Sequence, residues 1–184
     1  MDTSHAELFD PKPILKGELV ELHPMEAAHL EPLFAVASDP KIWEQHPKWD
    51  RYQRPVFEKF FNECLGFGSA LVIIDAKTKQ VIGSSTYKVD AARNEVEIGW
   101  TYLARAYWGG RYNGEAKRLM LAHAFRFFPR VVFRIGPNNL RSRRAVEKIG
   151  AIFAGEGKNA DGSTHVIYKI DAGDFRPAPS PAST

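Results

Sequence analysis

The sequence predicts one mixed α/β (α+β) domain: a mostly antiparallel central sheet of about seven strands, flanked by helices, with a single β-α-β crossover. Three observations carry this. At 184 residues the chain has room for one ordinary domain and little more. Three strand-like segments follow one another between residues 70 and 102, which breaks the strict alternation of a doubly wound sheet. The longest helical pattern then lies between two strand-like segments, as a crossover between parallel strands requires.

Each element has its own signal. Gly17 to His23 alternates, with Leu19 and Leu22 apolar and Glu18 and Glu21 polar, so it reads as a strand. Pro24 opens a helical pattern through Leu30, Leu33, Phe34 and Ala37, and Asp39-Pro40 ends it. Residues 42–54 are irregular and aromatic, with Trp43, His46, Trp49 and Tyr52. Pro55 stands where the first helical residue belongs, and Phe57, Phe60, Phe61 and Cys64 follow at helical spacing. The apolar run Ala70 to Asp75, a turn at residues 76–79, and Val81 to Val89 form a hairpin. Glu95 to Tyr102 is the third consecutive strand. Glu115 to Phe128 is the long helix, with Ala116, Leu119, Met120, His123 and Phe127 on its stripe, closed by Pro129. Val131 to Ile135 is a short β-branched strand. Ser142 to Ile149 is a helix stopped by Gly150. Ile152 to Gly155 and His165 to Ile170 are strands around a turn at Asp161-Gly162.

The domain is expected to cover residues 14–175, with a polar tail at 1–13 and a Pro/Ala/Ser tail at 176–184. Hydrophobic residues at 44% and charged residues at 26% match globular averages and exclude disorder and coiled coil. The net charge of +3 permits an anionic ligand without demanding nucleic acid. One cysteine, Cys64, excludes an internal disulfide and cannot build a zinc site. The acidic, polar N-terminus does not resemble a signal peptide, and no run approaches the length of a membrane span. A cytoplasmic protein with no membrane contact and no metal is the expectation.

The chemistry concentrates between Glu95 and Ala116. Alternation puts Val96, Ile98 and Trp100 on one strand face and Glu95, Glu97 and Gly99 on the other. Two acids beside a glycine suggest either a wet cleft or an ordinary solvent face. Trp108-Gly109-Gly110-Arg111-Tyr112-Asn113-Gly114 then runs into the long helix. Glycines allow tight turns and close backbone approach, and a helix N-terminus is a natural seat for phosphate. Neither a Walker A motif nor a G-x-G-x-x-G fingerprint is present. Asn138-Asn139-Leu140-Arg141-Ser142 follows the next strand and opens a second helix.

Taken together, these segments resemble the GNAT superfamily of acyl-CoA-dependent N-acyltransferases. Glu97-Ile98-Gly99 looks like the family's fourth strand, the glycine-rich loop like its pyrophosphate motif, and Asn139-x-x-Ser142 with Lys148-x-Gly150 like its second CoA-side motif. Leu19-Val20-Glu21-Leu22-His23-Pro24 resembles the Rim-type branch, which includes ribosomal-protein N-terminal acetyltransferases. The resemblance spans about Gly17 to Ile170. It implies acetyl-CoA as co-substrate, an amine acceptor, and direct attack in a ternary complex, with the crossover forming the CoA site.

The implied site residues follow by position. Glu97 is the candidate base through water, with Glu95 in reserve. Backbone N–H groups around Trp100, Thr101 and Tyr102 would meet the developing oxyanion. The loop fits the family in two registers, Arg111-x-x-Gly114-x-Ala116 or Trp108-Gly109-Gly110-Arg111-Tyr112-Asn113. In both, the pyrophosphate donors lie among Gly109, Gly110, Arg111, Tyr112, Asn113 and Gly114. Asn139 joins the CoA side. The tyrosine acid of many members is replaced by Val146, leaving Ser142 as candidate acid or as a helix N-cap. Cations near the ligand include Arg105, Arg111, Lys117, Arg118, Arg141, Arg143 and Arg144. His123 reads as a core histidine, and Cys64 as core. The aromatic segment 42–54 is either the lip of the acceptor mouth or a small satellite core. A non-catalytic acyl-CoA binder of the same fold and a nucleic-acid module are the rival readings, and a homodimer stays open.

Overall fold

The computed structural model describes residues 5–176. After a four-residue helix, α1 (His5–Leu8), come β1 (Leu15–Lys16), β2 (Val20–Pro24), α2 (Leu30–Ala37), α3 (Arg54–Gly66), β3 (Ala70–Asp75), β4 (Val81–Asp90) and β5 (Glu95–Leu103). Then follow α4 (Arg111–Ala124), β6 (Arg130–Ile135), α5 (Leu140–Glu147), β7 (Ile152–Lys158) and β8 (Thr164–Asp171). One eight-stranded sheet has the order β1-β2-β3-β4-β5-β6-β8-β7. Only β5 and β6 run parallel, joined by the α4 crossover, and every other neighbour is antiparallel. The mixed, mostly antiparallel class is as the sequence predicts. The eighth strand is the two-residue β1, which folds back on β2 through Leu15 opposite Leu22 and is too short for a periodic signal.

Several boundaries move. Pro24 ends β2 rather than opening a helix. The neighbouring Met25 N–H bonds the Ala70 carbonyl and prolongs the ladder, and α2 starts only at Leu30 after a 3-10 turn. The long helix starts four residues earlier than its apolar stripe, at Arg111, because Gly110 serves as its N-cap at φ 102°. Past its end, Arg126 and Phe127 tighten into i→i−3 bonds ahead of Pro129. β7 continues past Gly155, which absorbs a register shift at φ 129° instead of stopping the strand.

The sheet separates two cores. On one face Val20, Leu71, Ile73, Val96, Ile98, Val131 and Phe133 pack against Met120, Leu121 and Ala124 of α4 and Val146 of α5. On the other, Ala70, Val72 and Tyr102 pack against Leu33 and Ala37 of α2 and Phe57, Phe61 and Cys64 of α3. Phe9, within the stretch expected to be a free tail, is buried in the first core. Its ring lies 5.2 Å from those of Tyr87 and Phe128. The polar residues around it masked this anchor. Of the expected C-terminal tail, all but Arg176 lies outside the described residues.

Candidate active site

β5 pairs with β4 along its length but with β6 only at Glu95, Glu97 and the residue between them. Beyond Glu97 the two parallel strands part, so the edge of β5 from Ile98 to Leu103 has no strand partner there. Opposite, β4 and β5 slip register, with Ser84 facing Tyr102 and Thr86 facing Gly99. That leaves Trp100 and Thr101 to share one position, and Trp100 takes φ 55°, a left-handed conformation rare outside glycine. This bulge reverses the alternation. Ile98 faces the α4 core while Trp100 and Tyr102 face the α2–α3 core. Trp100 therefore does not share a face with Val96 and Ile98, as uninterrupted alternation predicts.

A cavity of about 720 Å³ opens where the strands part, walled by the β5 bulge, the N-terminal ends of α4 and α5, and residues 42–51. Ten of the twelve candidate residues line it: Trp100, Thr101, Tyr102, Gly109, Gly110, Arg111, Asn113, Gly114, Asn139 and Ser142. Two do not. The Tyr112 ring turns away to pack edge-on against Tyr107 at 4.9 Å, with its hydroxyl near the Asp75 carboxylate, so only its backbone is available. Glu97 lies behind the cavity wall.

At α4 the loop and helix form a ready anion seat. Gly109 and Gly110 both take φ above 100°, which L-residues rarely adopt, and an added Cβ at either would meet nothing within 4 Å. Their requirement is therefore conformational, not steric. No side chain caps the helix, so the N–H groups of Arg111, Tyr112 and Asn113 lack intrahelical partners. The Gly114 N–H is already committed to the Gly110 carbonyl, at 2.7 Å, and drops out of the expected donor set. Asn113 Oδ1 is buried with no hydrogen-bond partner among the described residues. Arg111, Arg118 and Arg144 line the cavity and make no ion pair among the described residues, unlike Arg105, which is tied to Asp39.

The acids behave differently from a wet strand face. Glu95 and Glu97 are buried and held by Arg134, whose Nη1 donates to Glu97 Oε2 at 2.6 Å and whose Nη2 donates to Glu95 Oε1 at 3.4 Å. Arg134 itself lines the cavity. Glu97 Oε1 folds toward Gly99, where a Cβ would stand 3.3 Å away. Gly99 itself lines the cavity, so this oxygen sits directly behind a wall position that carries no side chain. Arg134 was legible as the one cation in the β-branched stretch Val131-Val132-Phe133-Arg134-Ile135.

Ser142 is not the N-cap of α5. Asn139 fills that role, its Oδ1 accepting from the Ser142 N–H at 3.2 Å. Val146 is nearly fully buried yet lines the cavity, and as a valine it brings no hydroxyl there. Arg141 spans the mouth: its guanidinium lies 4.1 Å from the Trp108 ring centroid and its Nη2 donates to the Ile42 carbonyl at 2.6 Å.

Lys117 is the cation the site was not expected to bury. It lines the cavity, with Nζ 3.2 Å from Thr101 Oγ1 and 5.4 Å from the Phe133 ring centroid. Desolvation lowers its pKa to about 8. The aromatic segment divides: Trp43 is core, bonded through Nε1 to the Ala37 carbonyl, whereas Trp49 is exposed. Trp43, His46 and Arg51 line the cavity, so part of this segment is its wall. His123 and Cys64 are core residues, the former with Nε2 2.8 Å from the Asp10 carbonyl oxygen, the latter with its thiol pushed up to about 12 by burial. Among the described residues no helix is long and apolar enough to cross a membrane.

Residues 20–152 match the family described as "Acetyltransferase (GNAT) domain". The search of curated sequences returns no match. Among solved structures, a GCN5-related N-acetyltransferase from Brucella melitensis superposes with a TM-score of 0.77 at 22% identity, over 89% of this chain and 80% of that one. RimJ of Mycobacterium smegmatis, solved with CoA-disulfide, gives 0.65 at 19% identity, over 84% and 82%. The ribosomal-protein-S5-alanine acetyltransferase of Vibrio fischeri gives 0.64 at 14%, over 90% and 100%.

Proposed function

The chain belongs to the GNAT acetyltransferase family, and on that footing we propose that it transfers the acetyl group of acetyl-CoA to a primary amine by direct attack in a ternary complex. The observation that carries the reading is the cavity at the parting of β5 and β6, with an uncapped α4 N-terminus at one end and a strand bulge in its wall. Free N–H groups of Arg111, Tyr112 and Asn113 suit a pyrophosphate, with Arg111, Arg118 and Arg144 around it. The pantetheine arm runs along the unpaired edge of β5. Backbone N–H groups at the bulge, from Trp100 to Tyr102, stabilise the oxyanion; one such donor is typically worth about 2.7–4 kcal/mol.

Proton removal from the amine falls to Glu97 through water. Arg134 holds one oxygen, and the other lies beside Gly99 of the cavity wall, so a water at Gly99 is the link the reading requires. Ser142 lines the cavity, and in this reading its hydroxyl supports the leaving thiolate. A thiol of pKa about 8.5 needs little further help. Asn139 contributes by fixing the α5 N-terminus against the cavity. The lone, buried Cys64 suits a reducing compartment, and we place the protein in the cytoplasm.

Calorimetric titration of the full chain with acetyl-CoA, CoA and ATP tests the reading. Micromolar binding of acetyl-CoA and CoA, with ATP weaker by tenfold or more, is the expected result, followed by thiol release with an amine panel. Equal or tighter binding of ATP, or no binding of either CoA compound, would overturn it. CoA binding without thiol release on any amine would leave an acyl-CoA binder in its place.

A further inference from the structure

Two hydrogen-bond donors meet in the cavity wall with no acceptor for them among the described residues. His46 Nδ1 accepts the Lys48 backbone N–H at 2.9 Å. A neutral imidazole has one donor and one acceptor nitrogen, so the ring proton sits on Nε2. Arg51 Nη1 lies 3.4 Å from that same Nε2. Arginine has no acceptor, so this contact sets N–H against N–H. The opposite tautomer would only move the conflict to the shorter Lys48 contact. Burial first, and then the Arg51 cation, lower the His46 pKa to about 3, which keeps the ring neutral.

Glu63 and Asp50 act on Arg51 only at a distance, and burial outweighs them. The Arg51 guanidinium lies 3.8 Å from the Phe60 ring centroid and 5.5 Å from that of Trp43, and it forms no ion pair among the described residues. The ring faces attract the cation without satisfying its N–H groups. Both His46 and Arg51 line the same cavity as the β5 bulge. A planar guanidinium beside a second donor matches the two oxygens of a carboxylate.

We infer that Arg51 and His46 form a carboxylate subsite, and that the acceptor is a small primary amine bearing a carboxylate, of the amino-acid type. The inference rests on the N-acetyltransferase reading above and narrows its acceptor. A protein N-terminus presents no carboxylate at this position unless an acidic side chain supplies it.

The test separates binding from chemistry. The full chain, saturated with CoA, is titrated with the N-acetyl derivatives of glycine, alanine, leucine, phenylalanine and glutamate, and with the matching amides of the first four. At least one acid is expected to bind about tenfold or more tighter than its amide. Arg51→Met should weaken that acid by about 30-fold or more, and leave the amide and CoA itself within threefold. His46→Leu should act in the same direction with a smaller loss. Acids binding no better than amides would overturn the proposal. So would an Arg51→Met loss shared equally by acid and amide, a loss falling on CoA, or inorganic phosphate competing better than any carboxylate. Thiol release with free amino acids is scored separately. Its absence with every amine would sink the transferase reading, whereas turnover of amides in preference to acids would sink the carboxylate subsite alone.

Discussion

At the scale of single residues, Lys117 is the clearest case of an amino acid placed against its preference. Its folded-state pKa of about 8 lies below the ordinary lysine range. Between those values the unfolded chain binds more protons than the folded one, so stability rises with pH across that window. At neutral pH the buried charge costs on the order of 3 kcal/mol. Lys117→Met is therefore expected to raise the Tm at pH 7, with the gain fading as pH climbs from 8 toward the lysine range. A gain independent of pH would show that packing, not charge, was at stake. The residue was visible in sequence, because it occupies an apolar-stripe position between Gly114 and Leu121. Glu97 was legible too, but its ion pair with Arg134 was not, since the partner comes from another strand. Glu97→Gln should lower kcat most below the acceptor amine's own pKa, where a proton must be removed. The difference should close at higher pH. A uniform loss at all pH values would assign Glu97 to positioning Arg134 instead.

At the scale of elements, β5 shows where periodicity stops being a guide. A period-two pattern identifies a strand but carries no mark of an extra residue, because nothing in Trp100-Thr101-Tyr102 signals that the alternation set by Val96 and Ile98 slips there. The bulge also fixes its neighbour. Gly83 of β4 pairs with Leu103, and an added Cβ there would fall 2.0 Å from the Tyr102 carbonyl oxygen. Neither backbone can yield without separating the strands. Gly83→Ala is expected to destabilise the fold by about 3 kcal/mol, read as a lower denaturant midpoint at unchanged slope. An unaltered midpoint would mean that β4 and β5 are looser than their pairing. The α4 N-terminus was readable as glycine-rich, yet its starting residue was not. An apolar stripe begins with the first buried turn, whereas the first turn here faces a cavity.

At the scale of the whole molecule, one carboxylate ties the edge of the sheet to its central helix. Glu115 of α4 accepts from the backbone N–H groups of Glu18, Leu19 and Val20, at 3.1, 2.7 and 2.8 Å. Gly17 is required beside it, since a Cβ would meet the carboxylate at 2.5 Å. Glu115→Ala should cost about 2–4 kcal/mol and speed hydrogen exchange at Leu19 and Val20. Unchanged exchange there would show that pairing with β3 alone holds the edge. In sequence Glu115 only opens the expected long helix, because contacts nearly a hundred residues apart have no local signature. The sheet as a whole has one more property. Five strands on one side and three on the other meet along a seam only three residue pairs long, closed at one end and spread at the other. As a mechanical object it is a split plank. A molecule lying in the split acts as glue along the missing length of the joint, and the energy with which it binds is also the energy that resists prying the two boards apart.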